Sequence, residues 1–282
     1  MTAQILPRLS VIIVTFNSRD HIDACLGSIL EHMPAIDHDV VVVDNASEDG
    51  TAAAIRARWS DVRVIDAGAN LGFARANNLG MKQTLGSLIL LLNPDTIVSA
   101  GAIYRLIAAL DARPDAAIAG PRLVNRDGRA ELSFGAMMSP LAELRQKTLV
   151  RGSDRGVGAI TTYVEWLTRH PRDVDWVSGA CMLVRRADAE AVGLMDERYF
   201  MYAEDVDFCA AVRARGRRVL FAPDAEIVHF RGQSRATASA ATEQAYRRSQ
   251  MAFYDKHHPG WARVLRLYLK LSGRLPDTTI KP

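Results

Sequence analysis

Three carboxylates fall within four residues at Glu204, Asp205 and Asp207, in the segment Tyr202-Ala203-Glu204-Asp205-Val206-Asp207 that reads as the start of a helix. Acidic side chains at a helix N-terminus gain about 0.3–1 kcal/mol each from the helix dipole, which explains one or two of them and the third poorly. On a helix Glu204 and Asp207 share a face while Asp205 points elsewhere, so Asp205 is free to take a proton as a general base. A further carboxylate, Asp95, follows the apolar run 88–92 on the Pro-stiffened turn Asn93-Pro94-Asp95. It suits a hard divalent cation that also bridges a diphosphate, although, read alone, capping of the next helix is its commoner use. His229 ends another apolar stretch and is followed by Arg231 and Ser234. A single His is more often a satisfied core or surface residue, and this one becomes a metal ligand only if it meets Asp95.

Two more polar sites end the first two apolar runs, at Thr15-Phe16-Asn17 and Asp44-Asn45-Ala46-Ser47. A carboxylate at Asp44 can accept the N3–H of a uracil or thymine ring while Thr15 backbone groups meet the base edge. A turn or helix-cap role explains Asp44 equally well. In the stretch 70–80, Gly72 permits close backbone approach at a helix N-terminus, which favours anions, and Asn77 and Asn78 offer donors and acceptors one turn on. No glycine lies between Leu9 and Leu26, and no Gly-Lys-Ser/Thr phosphate loop is present. Hydride transfer on a dinucleotide and P-loop ATP hydrolysis are therefore disfavoured.

These residues sit at the ends of regularly alternating elements. Apolar, β-branched runs at 9–15, 40–43, 62–65 and 87–92 alternate with helical patterns at 19–31, 51–58, 73–83 and 100–111. Strands apolar on both faces, interleaved with helices, predict a mostly parallel sheet covered on both sides, with ligands at the strands' carboxyl ends. Residues 122–173 break the rhythm and read as a long, irregular, partly mobile insertion. Regularity returns with a strand at 176–185, a helix at 204–215, short strands at 217–221 and 226–230, and two C-terminal helices. No linker or internal repeat divides the chain, so residues 1–258 read as one domain and 259–282 as a tail.

The composition is that of a globular chain: 282 residues, 49% apolar, 24% charged and a formal charge of +3. That charge hides an asymmetry, because residues 210–282 hold 14 Lys and Arg against 5 Asp and Glu, while residues 1–209 hold 21 against 27. A basic C-terminal quarter suggests an anionic partner. In the tail, Trp261, Val264, Leu265, Tyr268 and Leu269 recur at helical spacing beside Arg263, Arg266, Lys270 and Arg274. Such a helix either closes the domain core or rests on an anionic membrane surface. Apolar runs such as 88–92 are far short of the roughly 20 residues of a membrane span, and the N-terminus has no signal-peptide pattern, so the chain is expected in the cytoplasm. Cys25, Cys181 and Cys209 are widely spaced and read as reduced thiols filling a core.

The ordered set VIIVTFN (11–17), VVDNAS (42–47), NLGFARANNLG (70–80), LLNPD (91–95), WVSGACMLVRR (176–186), FMYAEDVDFC (200–209) and VHFRGQS (228–234) resembles the family-2 glycosyltransferases of the GT-A fold, most of all their bacterial rhamnosyltransferase branch. The resemblance spans about residues 9–258, and seven motifs in order are far more specific than any one of them. It implies that Thr15, Asn17 and Asp44 hold a pyrimidine base and that Gly72 and Asn77 line the nucleotide. Asp95 matches the last carboxylate of the family's D-x-D metal motif, with Asn93 replacing the first, and His229 matches a second metal ligand of some relatives. Asp205 matches the catalytic base, preceded by Glu204, while Trp176, Ser178 and Gly179 fall on the segment shaping the sugar and acceptor pocket. Arg231 helps to neutralise the departing diphosphate. The implied reaction is an inverting transfer, dependent on Mg²⁺ or Mn²⁺, from a dTDP- or UDP-sugar to a glycan or lipid-linked saccharide at the inner face of the cell membrane. The rival is a catalytically silent nucleotide-sugar or glycan-binding protein on the same fold. Nucleic-acid binding is not expected, since aromatic and basic residues do not interleave on a sheet face.

Overall fold

The computed structural model describes residues 8–230 and 240–276. Its centre is a nine-stranded sheet, in which β1 (Leu9–Thr15), β2 (His38–Asp44), β3 (Val62–Asp66) and β4 (Leu88–Leu92) are the four apolar runs that open the chain. They pair in parallel in the order β3-β2-β1-β4. Beyond β4 follow β10 (Cys181–Arg185), β6 (Ala116–Val124), β11 (Arg218–His229) and the short β5 (Thr96–Val98), with β8 (Arg172–Val174) also on β11. Strands β6 and β11 run with the first four, whereas β5, β8 and β10 run against them. The sheet is therefore mixed but mostly parallel.

Each strand's alternate side chains feed opposite faces. Val11 and Ile13 pack with Ile22, Leu26 and Ile29 of α1 (Arg19–His32) and Ile103 and Leu106 of α4 (Ala102–Asp111). Ile12 and Val14 pack on the other face with Ala76 and Met81 of α3 (Phe73–Lys82) and Phe208 and Val212 of α8 (Glu204–Ala214). Helix α2 (Thr51–Arg58) packs on the edge strand β3, α7 (Arg186–Ala191) packs against the interior strand β10, and all three cysteines are buried and free.

Three expectations change. Residues 122–173 hold two regular helices: β7 (Phe134–Gly135) is followed by α5 (Pro140–Asp154) and α6 (Gly158–Leu167), and β9 (Trp176–Val177), which comes after them in the chain, returns to pair with β7. Ser139 accepts the Ala142 N–H as a side-chain cap and Pro140 starts the first turn, a start signal hidden among scattered Gly, Arg and Ser. The expected strand 176–185 is two strands, β9 and β10, parted where the Ser178 N–H turns to the Ser133 carbonyl and the Gly179 N–H turns to Asp205. Finally, β11 is one strand with a bulge between Ala222 and Glu226, where Pro223 has no N–H to give the ladder. The chain ends in α9 (Ala240–His257) and α10 (Pro259–Leu271).

Candidate active site

The parallel register of β1 on β2 sets Thr15 opposite Asp44 at the carboxyl edge of the sheet. The buried Thr15 hydroxyl donates to Asp44 Oδ1 at 3.0 Å, and the Ser47 N–H donates to Oδ2 at 3.0 Å. Each carboxylate oxygen keeps a lone pair for an incoming donor. Asn17, in the left-handed region at φ 51°, clamps this edge: its N–H donates to Ser47 Oγ at 2.9 Å and its Oδ1 accepts the Glu48 N–H at 2.9 Å. Phe16, between Thr15 and Asn17, is 48% exposed. Asn45 was not singled out in the sequence, yet it is buried and holds the next loop. It donates to Asn70 Oδ1 at 3.0 Å and accepts the Leu71 N–H at 2.8 Å. Asn77 spends its amide on the Phe73 carbonyl at 2.9 Å, and Asn78 exchanges hydrogen bonds with the Met195 backbone at 2.8 and 3.0 Å.

Gly72 joins the Thr15–Asp44 edge, through Asn45, to the segment that leads into the acidic cluster. At φ 80° and ψ 176° it occupies a region open to glycine alone, and a Cβ would lie 2.6 Å from Phe200 Cδ2 and inside the Phe200 carbonyl oxygen. The next residue, Phe73, donates its N–H to that carbonyl at 2.6 Å. Gly72→Ala is therefore expected to destabilise the protein by at least about 1–3 kcal/mol, read by urea unfolding. A variant of unchanged midpoint would show that the Phe200 contact is dispensable.

The loop after Phe200 is strained where it delivers α8, since Tyr202 and Ala203 both take positive φ, 72° and 64°. Ser249 of α9 donates to the Met201 carbonyl at 2.7 Å and braces it. Asp205 emerges half-buried, its Oδ2 accepting the Gly179 N–H at 2.9 Å and its Oδ1 the Val206 N–H at 2.8 Å. Burial raises its pKa and outweighs those backbone donors. Glu204 is buried beside it with Oε2 lacking a hydrogen-bond partner; burial first and the Asp205 charge second hold its pKa well above the carboxylate range. Asp207 has a different task. It is buried and receives Lys256 at 2.8 Å, His257 at 2.6 Å and the Tyr199 hydroxyl at 3.2 Å, which docks α9 on α8.

A raised folded-state pKa means that the native state binds more protons than the unfolded chain, so stability falls as pH rises from the ordinary carboxylate range through the folded value. Glu204→Gln removes that cost. The variant is expected to melt above the wild type at neutral pH, with the gap closing in acid, by calorimetry at several pH values. A lower melting temperature at neutral pH would contradict a neutral Glu204.

Asp95 and His229 do meet. Strand β5, which was not expected, pairs antiparallel with β11 so that His229 faces Thr96, and the Phe230 N–H donates to the Asp95 carbonyl at 2.8 Å. His229 Nε2 lies 3.4 Å from Asp95 Oδ1, and Nδ1 lies 3.2 Å from Oε2 of the buried Glu131. Burial alone would lower the His229 pKa, but the two carboxylates outweigh it and push it up to about 9. Among the described residues no group of three or more His, Cys, Asp or Glu is arranged to hold a metal. The pair Asp95–His229, with the buried and unpartnered Oδ1 of Asn93 nearby in sequence, fits an ion that takes its remaining ligands from a diphosphate. The Asn93 N–H donates to the Ala180 carbonyl at 2.9 Å, so the Asn93-Pro94-Asp95 turn and Asp205 bind neighbouring residues of one loop, Gly179 and Ala180.

In that loop a Cβ on Gly179 would meet the Phe73 ring at 3.2 Å and Asp205 Cβ at 3.4 Å, so the start of α3, this loop and Asp205 pack together here. The Ser178 hydroxyl accepts the Ala180 N–H at 3.2 Å, and Trp176 Nε1 donates to the Ala136 carbonyl at 2.9 Å. Arg231 lies outside the described residues.

The Thr15–Asp44 edge, the Asp95–His229 pair and Asp205 thus belong to one mixed sheet and the helix beside it. Residues 10–166 match the description glycosyl transferase family 2, and the chain belongs to that family, with a GT-A fold. It is rhamnosyltransferase-like: it is 32% identical over 279 residues to the N-acetylglucosaminyl-diphospho-decaprenol L-rhamnosyltransferase of Mycobacterium tuberculosis, across 91% of this chain and 87% of that one. It is 29% identical over 215 residues to the low-salt glycan biosynthesis hexosyltransferase Agl10 of Haloferax volcanii, across 74% of this chain and 62% of that one. In fold it is similar to the mannosyltransferase PcManGT from Pyrobaculum calidifontis in complex with GDP-Man and Mn²⁺, with a TM-score of 0.62 at 18% identity over 93% of this chain and 69% of that one. It is likewise similar to GalNAc-T7 with UDP, GalNAc and Mn²⁺, with a TM-score of 0.62 at 17% identity over 88% and 48%.

Proposed function

We propose that this glycosyltransferase moves a hexose, rhamnose by its similarity to the mycobacterial enzyme, from a dTDP- or UDP-linked donor to a hydroxyl of a lipid-linked saccharide, inverting the anomeric centre. The observation that carries the reading is Asp205. It is steered by the Gly179 and Val206 N–H groups, raised by burial, and held in one packed unit with the nucleotide helix. Asp205 takes the proton of the acceptor hydroxyl as that oxygen attacks the anomeric carbon, and the bond from that carbon to the diphosphate oxygen breaks. Trp176, Ser178 and Gly179 shape the pocket in which the two sugars meet. Asp95 and His229 would hold Mg²⁺ or Mn²⁺, which would supply charge neutralisation to the leaving diphosphate. Arg231 adds a fixed positive charge from the chain itself. On this reading the reaction takes place at the cytoplasmic face of the membrane, where nucleotide sugars and lipid-linked saccharides coexist. The family match and the presence of both Asp95 and Asp205 favour an enzyme over a silent binding protein on the same fold.

A thermal-shift panel of dTDP, UDP, GDP and their sugars tests the donor, since a ligand stabilises the state it binds. Selective stabilisation by the pyrimidine diphosphates is expected. Asp44→Ala should weaken their binding by about 1–3 kcal/mol, the range of a hydrogen bond to a charged group. Equal shifts with GDP and dTDP would overturn the base assignment.

A further inference from the structure

Helix α10 carries three stripes, each spaced i, i+3, i+7. Ala262, Leu265 and Leu269 face the protein, Ala262 and Leu269 buried and Leu265 half-buried against the cluster around Tyr199, Phe253 and Tyr254. Arg263, Arg266 and Lys270 form an exposed basic stripe, continued by Arg274, in which Arg266 is paired with Asp255 of α9. The third stripe is apolar and unpartnered: Trp261 is 52% exposed, Val264 53%, Tyr268 54% and Leu271 79%, with Leu267 beside them. The apolar positions of the tail are thus two faces, and the core takes only one.

The open face does not stand alone. His258, just before α10, donates from Nε2 to the Met138 carbonyl at 2.9 Å, and Met138 leads into α5, whose first turns expose Leu141 and Leu144. The same segment borders the acceptor side: the Met137 N–H donates to Asp175 at 2.7 Å and Trp176 Nε1 donates to the Ala136 carbonyl. We infer that the Trp261, Val264, Tyr268 and Leu271 face of α10, with Leu141 and Leu144 of α5, seats on an anionic bilayer and sets the Trp176 pocket beside it. Its place in the reaction rests on the lipid-linked acceptor proposed above. The occupant follows from charge and shape: Trp and Tyr suit the headgroup level, aliphatic tips the acyl boundary, and the adjoining Arg and Lys stripe an anionic surface. Each such cation adds about fivefold to binding, equivalent to about 1 kcal/mol.

The test is flotation of the full chain with vesicles of phosphatidylglycerol and phosphatidylcholine at low salt, without donor or acceptor, so that its outcome is separate from that of the transferase reading. Wild type is expected to float with anionic vesicles and to be released by salt. Val264→Glu with Leu271→Glu should cut binding at least about tenfold, and Leu141→Glu should weaken it, while melting temperature and transfer to a short, lipid-free acceptor stay at wild-type values. A wild-type protein that ignores anionic vesicles would overturn the inference. So would a double variant that floats like wild type, or a wild-type dimer that the double substitution splits, which would assign the face to a second copy.

Discussion

Asp205→Asn is expected to abolish measurable transfer while leaving nucleotide affinity nearly unchanged. The amide keeps the shape and an oxygen for the Gly179 N–H, now 2.9 Å from the carboxylate, but it has no basic lone pair for the acceptor proton. Proton transfer alone contributes about 10²–10⁴-fold, so turnover should fall by at least that much. Retention of more than about a tenth of wild-type turnover would remove Asp205 as the base. Its pKa, raised by burial, adds a second signature. Transfer needs the ionised form, so the acid limb of kcat/KM should lie above the ordinary aspartate range and be absent from Asp205→Asn.

Asp95→Ala carries the next largest effect. It removes a carboxylate of the Asp95–His229 pair, which in the proposed reaction would hold the cation that neutralises the leaving group. Charge stabilisation of several kcal/mol is at stake, so a loss of at least about a hundredfold is expected. Activity should also vanish in excess EDTA and return with added Mg²⁺ or Mn²⁺. Full activity in EDTA would retire the metal assignment.

The alternating apolar runs make β1 to β4 and their helices plain in the sequence, because strands buried on both faces carry no polar alternation and little else produces that pattern. Residues at strand ends were legible for the same reason. What escaped depends on contacts distant in sequence. Thr96–Val98 is too short to announce a strand, yet its pairing with β11 is what brings Asp95 to His229. The partner of Gly72 is the Phe200 backbone, and that of Asn45 is the 70–72 loop, neither marked by any local motif. Asp207 matched Asp205 in chemistry and differs only because Lys256 and His257 reach it from α9. In α10 helical spacing showed that apolar residues cluster, but only packing shows that Leu269 is buried and Tyr268 is not.

One product analysis bears on the whole mechanism: purified enzyme is given a pyrimidine-diphosphate sugar of known anomeric configuration, a divalent cation and a polyprenyl-diphosphate saccharide, and the new linkage is assigned by NMR. A saccharide extended by one sugar of the opposite anomeric configuration is expected, as a single displacement driven by Asp205 requires. A product that retains the donor configuration, or free sugar from hydrolysis with no extended acceptor, would contradict it.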